Sequence, residues 1–304
     1  MSFAAIDVGT NSVKMLIGSV TEGRVVPELH RAQITRLGQG LRTAGAISSD
    51  AANRTIEALA GFRKLAEERR AERIAAAGTQ ALREAKNAEE FLARCEGEAG
   101  LRVRILTAAE EARLSFQGAC WAAQTARVAV VDIGGGSTEI MIGTRAALER
   151  WWSLPLGAVV LTEQFLRSDP PTDEEMRLLA AAVERRLREV DIRPGPEVEL
   201  VGVGGTVAAL QALASRKAKI ETRPPSAPAR LSFDEISAAS VDLSVRTAAE
   251  REELGLERGR ADIIVAGAWI LLGVMSRLGA LALRAGVHGL RHGMLIEMAS
   301  GRWV

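Results

Sequence analysis

The sequence predicts an α/β fold made of two related lobes. Two observations carry that expectation. The first is an internal repeat, found by laying "IDVGTNSVKMLIG" (Ile6 to Gly18) over "VDIGGGSTEIMIG" (Val131 to Gly143). Asp7 then falls on Asp132, Gly9 on Gly134, Ser12 on Ser137, Ile17 on Ile142 and Gly18 on Gly143. Each copy reads as a β-hairpin with an acid at the end of its first strand. A glycine turn between apolar strands is common, but two with the same acid, glycine and serine spacing indicate a duplication. The second is alternation: β-type runs follow helical stretches along the whole chain, the pattern of an α/β architecture.

The elements follow in order. After the first hairpin, "GRVVPEL" reads as a third strand and Ser48 to Glu68 as an amphipathic helix. "RIAAAGT" is a short strand ending at Gly78-Thr79. Asn87 is placed to cap a helix reaching about Glu98, "RVRIL" is a strand, and Thr107 to Ala123 is helical. After the second hairpin, Thr172 to Val190 is a helix, "EVELVGVGG" a strand ending in Gly204-Gly205, and Thr206 to Ala214 a helix. Ser232 and Glu235 form a capping box that opens another helix. Helices continue from Arg260 to Leu278, a strand lies near Leu281 to Arg284, and a last helix follows Gly289. The proline-rich, basic stretch from Ser215 to Arg230 reads as an exposed loop. The repeat sets the lobes at 1–124 and 125–304, with the last helix free to pack back on the first lobe.

A chain of 304 residues suits two domains. Hydrophobic residues are 47% and charged residues 25%, enough for a substantial core. The formal net charge of +1 gives no global field for nucleic acid or an anionic membrane, so any polyanion site is local. Cys95 and Cys120 fall in helical segments and read as free thiols of a reducing cytoplasm. The N-terminus has no basic region and carries Asp7 early, so no secretory leader is expected. The longest apolar run, Ile263 to Met275, is short for a bilayer and is closed by Arg277; it reads as a core helix.

Glycine turns after strands let backbone approach a ligand and aim N–H groups at one cluster of oxygens. Gly134, Gly135, Gly136 and Ser137 form one such turn and Gly9 to Ser12, with Asn11, the other. Gly204, Gly205 and Thr206 add donors at a helix N-terminus, where the dipole favours anions. The spacing matches neither a P-loop nor a dinucleotide-binding turn. Asp7 and Asp132, at strand ends beside the turns, have two roles open: accepting turn N–H bonds, or holding Mg²⁺ that also binds phosphate. Having both in register favours the second. Thr107 and Glu110 make a capping box, which leaves Glu111 in the first helical turn without a structural task. An ionised carboxylate there can orient a water or take its proton, or simply be a surface glutamate. Arg83, after Gly78-Thr79, can be a solvated arginine or a bidentate phosphate ligand. The basic loop with Arg216, Lys217 and Lys219 reads as solvated.

"AAIDVGTNSVKMLIG", "GTQALREAKN", "EEARLSFQG", "VVDIGGGSTEIMIG", "VGVGGTVAAL", "RADIIVAGAWIL" and "GLRHGML" occur in that order. Together they closely resemble the exopolyphosphatase / guanosine pentaphosphate phosphatase (Ppx/GppA) family, over essentially the whole chain. The resemblance implies the duplicated actin-like, ribonuclease-H-like fold with its active site in the cleft between lobes. It also implies Mg²⁺-assisted hydrolysis of the terminal phosphoanhydride of inorganic polyphosphate or of the 5′ γ-phosphate of pppGpp. By motif match Glu111 is the catalytic glutamate, Glu139 the second functional carboxylate and Asp132 a metal-binding aspartate. Asn11, Ser12, Arg83, Gly134 to Ser137 and Gly204 to Thr206 fall on phosphate-contacting segments. Family members often dimerise, so a homodimer is expected.

The sequence departs from the family pattern at Thr107-Ala108, where Ser-Gly is usual, and at His292, where Glu or Tyr is expected. The C-terminal His-Asp domain of longer members has no counterpart here, which implies a shorter channel and less processivity on long chains. An actin-fold kinase and a non-catalytic polyphosphate or (p)ppGpp binder are the readings from other classes. Retention of both glutamates speaks against the latter.

Overall fold

The computed structural model describes residues 1–120, 123–192, 198–220, 230–286 and 288–303. Its contacts form two units, Met1–Gly118 with His288–Val304, and Ala119–Val287.

In the first unit β1 (Ser2–Val8), β2 (Ser12–Thr21) and β3 (Arg24–Ile34) form an antiparallel meander. A short helix α1 (Leu41–Ala44) and the long α2 (Ser49–Glu68) follow. Ser48 caps α2, its side chain accepting from Ala51 N–H. Then come β4 (Arg73–Gly78), α3 (Gln80–Glu84), α4 (Ala88–Ala99), β5 (Val103–Ile105) and α5 (Ala108–Ala119). The sheet order is β3-β2-β1-β4-β5, with β1, β4 and β5 parallel.

The second unit repeats this plan. β6 (Arg127–Ile133), β7 (Thr138–Thr144) and β8 (Leu148–Leu154) form the meander. They lead to α6 (Ala158–Phe165), α7 (Asp173–Arg188), β9 (Glu199–Val203) and α8 (Gly204–Ile220). β10 (Arg230–Ser232), α9 (Phe233–Ser244), α10 (Ala248–Glu253), α11 (Arg258–Ala261), α12 (Ile264–Leu278) and β11 (Ala282–Ala285) complete it. The chain then returns to the first unit as α13 (Leu290–Ala299). The second sheet runs β8-β7-β6-β9-β11-β10. Its first five strands reproduce the 3-2-1-4-5 order of the first sheet, with β10 added antiparallel at the edge. This is the duplicated actin-like α/β fold.

Alternation along the hairpins decides which side chains are buried. Ala4, Ile6 and Val8 join Val13, Met15 and Ile17 in one core with α2 and α4. Phe3, Ala5 and Leu16 face the other way and pack with Leu290, Met294, Leu295, Met298 and Trp303. That second layer explains why the C-terminal helix joins the first unit: its apolar face covers the side of the sheet that α2 and α4 leave open. In the second unit Ala129, Val131, Ile133, Ile140 and Ile142 pack with α7, α9 and α12, which is apolar up to Met275. α12 is thus a core helix, and no helix among the described residues is long and apolar enough to cross a membrane.

The structure corrects several sequence expectations. Asn87 is the residue before α4, but its side chain does not cap the helix; it clamps Ile47, accepting from its N–H at 2.8 Å and donating to its C=O at 3.0 Å. A tertiary partner outcompetes the local one. Ser215–Ile220, read as loop, continue α8, because Arg216, Lys217 and Lys219 are good helix formers; residues 221–229 lie outside the described residues. Gly204 and Gly205, read as a strand end, are the first turn of α8. The helix expected to reach Ala123 ends at Ala119. The capping boxes at Thr107/Glu110 and Ser232/Glu235 are both present.

Candidate active site

The two hairpin turns have the same geometry. Gly9 N–H donates to Ser12 C=O at 3.1 Å, and Gly134 N–H donates to Ser137 C=O at 2.9 Å. In both, the next strand-to-helix segment ties the turn's carbonyls down. Thr35 and Arg36 N–H donate to Asn11 C=O, and Gly38 N–H donates to Thr10 C=O. Ala158 N–H donates to Gly134 C=O at 3.0 Å and Val159 N–H to Gly135 C=O at 2.9 Å. With the carbonyls engaged on one side, the opposite side of the turn presents N–H groups. Among the described residues, those of Gly135 and Gly136 have no hydrogen-bond acceptor. A turn of this form is suited to an anion.

In the first unit the candidate residues follow the carboxyl ends of the parallel strands, where α/β sheets place their ligands. The turn with the buried Asn11 and Ser12 follows β1, Arg83 follows β4, and Glu111 follows β5. Val8 pairs with Gly78, and Gly78 C=O accepts from Leu106 N–H, so these three strand ends lie side by side. Arg83 and Glu111 meet: Arg83 Nη1 is 2.7 Å from Glu111 Oε2 and also donates to Leu106 C=O at 2.9 Å. Their side chains are 21% and 12% exposed, so Arg83 is neither a solvated arginine nor Glu111 an open surface glutamate. Glu110 is occupied as expected, accepting from Thr107 N–H and Oγ1 and pairing with Arg104. Asp7, on the α13-facing side of β1, pairs in register with Lys14. Burial raises its pKa above the ordinary value, against the opposing charges of Lys14 and Arg291.

In the second unit Asp132 pairs in register with Glu139, and Glu139 with Ser153. Glu139 is buried and accepts from Ser153 Oγ at 2.8 Å. Gly204 has φ +93° and bridges to Ile133; a Cβ there would lie 2.8 Å from Asp132 Oδ1 and 2.7 Å from Ile133 C=O. Only glycine allows both that backbone conformation and that approach. The N-terminus of α8 is therefore seated against the Asp132 carboxylate. The Thr206 side chain points away from this, buried against Gly267 of α12, so its backbone N–H is what the helix terminus offers.

A profile of the Ppx/GppA phosphatase family matches residues 16–301. The chain belongs to the Ppx/GppA phosphatase family. It is 34% identical over 321 residues to a Mycobacterium tuberculosis protein named exopolyphosphatase 2, covering 97% of this chain and 98% of that one. It is 31% identical over 308 residues to the Photobacterium profundum guanosine-5′-triphosphate,3′-diphosphate pyrophosphatase, covering 98% of this chain and 59% of that one. The crystal structure of the Aquifex aeolicus Ppx/GppA family member superposes with a TM-score of 0.80 at 33% identity, covering 100% of this chain and 99% of that one. An exopolyphosphatase-like protein of known structure gives 0.90 at 28%, with the same coverage.

For this Ppx/GppA protein, sequence reading missed two structural contributors. Gly157, the residue before α6, lies so close to the second turn that a Cβ on it would overlap Gly135 C=O and the Gly136 backbone. Its signal was present: Leu37-Gly38 and Leu156-Gly157 extend the repeat into the segments that clip the turns. Arg260, on α11, is half-buried beside the α8 N-terminus, its Nη1 2.8 Å from where a Gly205 Cβ would stand. Burial works against its charge and lowers its pKa, while Glu257 opposes that shift. It lies in the quoted stretch "RADIIVAGAWIL", but no local pattern told it from a helix-start arginine.

Proposed function

We propose that this protein hydrolyses the terminal phosphoanhydride bond of inorganic polyphosphate and releases phosphate. The observation that carries the reading is the Arg83–Glu111 ion pair at the strand ends of the first unit, with the capping box leaving Glu111 free of any capping duty. The family and its exopolyphosphatase relatives support the same substrate.

The donor chemistry fits a divalent cation of the Mg²⁺ type. Asp132 and Glu139 are oxygen donors on adjacent strands, and the Gly204 approach keeps space beside the Asp132 carboxylate. Among the described residues no group of three or more His, Cys, Asp or Glu side chains is disposed to hold a metal. An ion of this type is held through one or two carboxylates, with waters and substrate phosphate completing its shell. When bound, Mg²⁺ would neutralise charge on the terminal phosphoryl group. Asp132 is the principal carboxylate for it, and Asp7 the equivalent acid of the first unit.

The protein's own groups do the rest. Glu111 orients the attacking water and accepts its proton. Arg83 has five donors, so an arriving phosphate can share its fork with Glu111 and Leu106 C=O. Each unit's turn supplies donors for phosphate oxygens as charge develops: Asn11 and Ser12 in the first unit, and Gly134, Ser137 and the N–H groups of Gly135 and Gly136 in the second. The α8 N-terminus, Gly204 to Thr206, adds its dipole, and Arg260 a cation. Glu139 supports the water or the metal. We place the enzyme in the cytoplasm, acting as a homodimer.

The second reading, removal of the 5′ γ-phosphate of pppGpp, is favoured by the Photobacterium relative. Phosphate release from long and short polyphosphate, pppGpp and ATP, with and without Mg²⁺, tests both. Faster release from polyphosphate without any acceptor is the expected result. A pppGpp preference moves the assignment to the second reading. An absolute need for an acceptor substrate, or binding without turnover, overturns hydrolysis altogether.

A further inference from the structure

The chain has three histidines, His30, His288 and His292, and the fold brings all three together within the first unit. His30 lies on edge strand β3 and pairs in register with Leu16, whose side chain faces α13. His292 lies in the first turn of α13, and His288 precedes the helix, where the extended Gly289 turns its ring toward that of His292. Ring centres are 4.3 Å apart for His288–His292 and 6.0 Å for His30–His292. Two imidazoles on one tetrahedral zinc, with Zn–N near 2 Å, have ring centres roughly 5 Å apart. The observed separations bracket that value.

The nitrogens are in the state a ligand set requires. His292 is 2% exposed, and neither of its ring nitrogens has a hydrogen-bond partner; buried His288 Nδ1 has none either. Buried polar atoms without partners are rare and call for an unlocated group. His30 is exposed, which leaves an entry path from solvent.

We propose that His30, His288 and His292 form a second, non-catalytic metal site that takes one borderline transition-metal ion such as Zn²⁺ or Ni²⁺. An all-imidazole set selects these ions over Mg²⁺, which wants oxygen. As they stand the three rings are not in ligand geometry, so binding turns them inward. The ion then joins edge strand β3 to α13, two segments separated by most of the sequence. Arg291 opposes it; its guanidinium, donating to Met15 C=O at 3.1 Å, holds a positive charge nearby and keeps the affinity below that of a structural zinc finger.

The test uses tag-free, chelator-stripped full-length protein. Co²⁺ is titrated while visible d–d absorption is followed, Zn²⁺ by calorimetry and thermal shift, and folding of each variant is checked by circular dichroism. One equivalent of Co²⁺, displaced by Zn²⁺ and untouched by excess Mg²⁺, is expected. His30→Gln and His288→Gln, at exposed and half-buried positions, weaken binding by at least about tenfold, whereas Glu111→Gln leaves it unchanged. Absence of a cobalt spectrum in folded wild-type protein overturns the site. So does wild-type affinity in both histidine variants.

Discussion

Asp132 and Glu139 stand directly opposite each other across the β6–β7 ladder, whereas the matching positions of the first unit hold Asp7 and Lys14. Opposite charges across a ladder stabilise and like charges do the reverse, by about 0.2–1 kcal/mol. One copy of the repeat therefore pairs opposite charges, an attraction that burial outweighs at Asp7, and the other sets two acids face to face. Glu139→Gln relieves that repulsion and can keep the Ser153 bond. Its expected outcome is unchanged or slightly raised stability in urea unfolding, with turnover down about a hundredfold or more. A clear loss of stability with normal turnover would make Glu139 a structural partner of Ser153 instead.

Glu111 and Arg83 are a second pair with separable roles. Glu111→Ala lowers the rate of phosphate release by about two to four orders of magnitude. Arg83→Lys places one point charge where a fork now reaches both Leu106 C=O and Glu111, so its rate falls close to that of Arg83→Ala. Wild-type turnover in a folded Glu111→Ala protein would remove the proposed base.

Asp7 gives a pH dependence with a definite sign. Its folded pKa lies above its ordinary value of 3.8, chiefly through burial. Its contribution is therefore fully present below that ordinary value and is lost as pH rises through the raised folded value. Asp7→Asn removes this term. The variant is expected to match wild type in acid, to be more stable than wild type at pH 7 in thermal unfolding, and to be slower in turnover. A variant less stable at every pH would show that the charged form is held favourably.

Gly157→Ala tests the clip on the second turn. The φ of −105° suits alanine, so the penalty is purely steric: the new methyl overlaps Gly135 and Gly136. Expected are a stability loss of about 1–3 kcal/mol and a fall in turnover with substrate affinity weakened. Gly23→Ala, at a surface turn with open space but φ +73°, is the control that carries backbone strain without touching the turn. Equal turnover for the two variants would detach Gly157 from the site.

Much of the protein was legible because the physics there is local. The duplication appears as two stretches with the same acid, glycine and serine spacing, and both fold to the same glycine-to-serine hydrogen bond. Thr107 and Glu110 satisfy each other three residues apart, which is why Glu111 stood out as the acid without a capping task. Where local rules met a tertiary competitor they failed: Asn87 leaves its helix for Ile47, and two glycines read as a strand end become a helix start against Asp132.

The sequence by itself determined the repeat, the hairpins, the helix starts capped by Ser48, Thr107, Thr172 and Ser232, and the asymmetry of Lys14 against Glu139, since each depends on residues a few positions apart. Only the tertiary structure decided that Arg83 meets Glu111 across 28 residues, that Gly157 rests on the second turn, that Arg260 stands beside Gly205, and that three scattered histidines share one place. Those meetings depend on how crossover helices bring distant strand ends side by side and on which way each side chain then points. Neither is encoded in spacing along the chain.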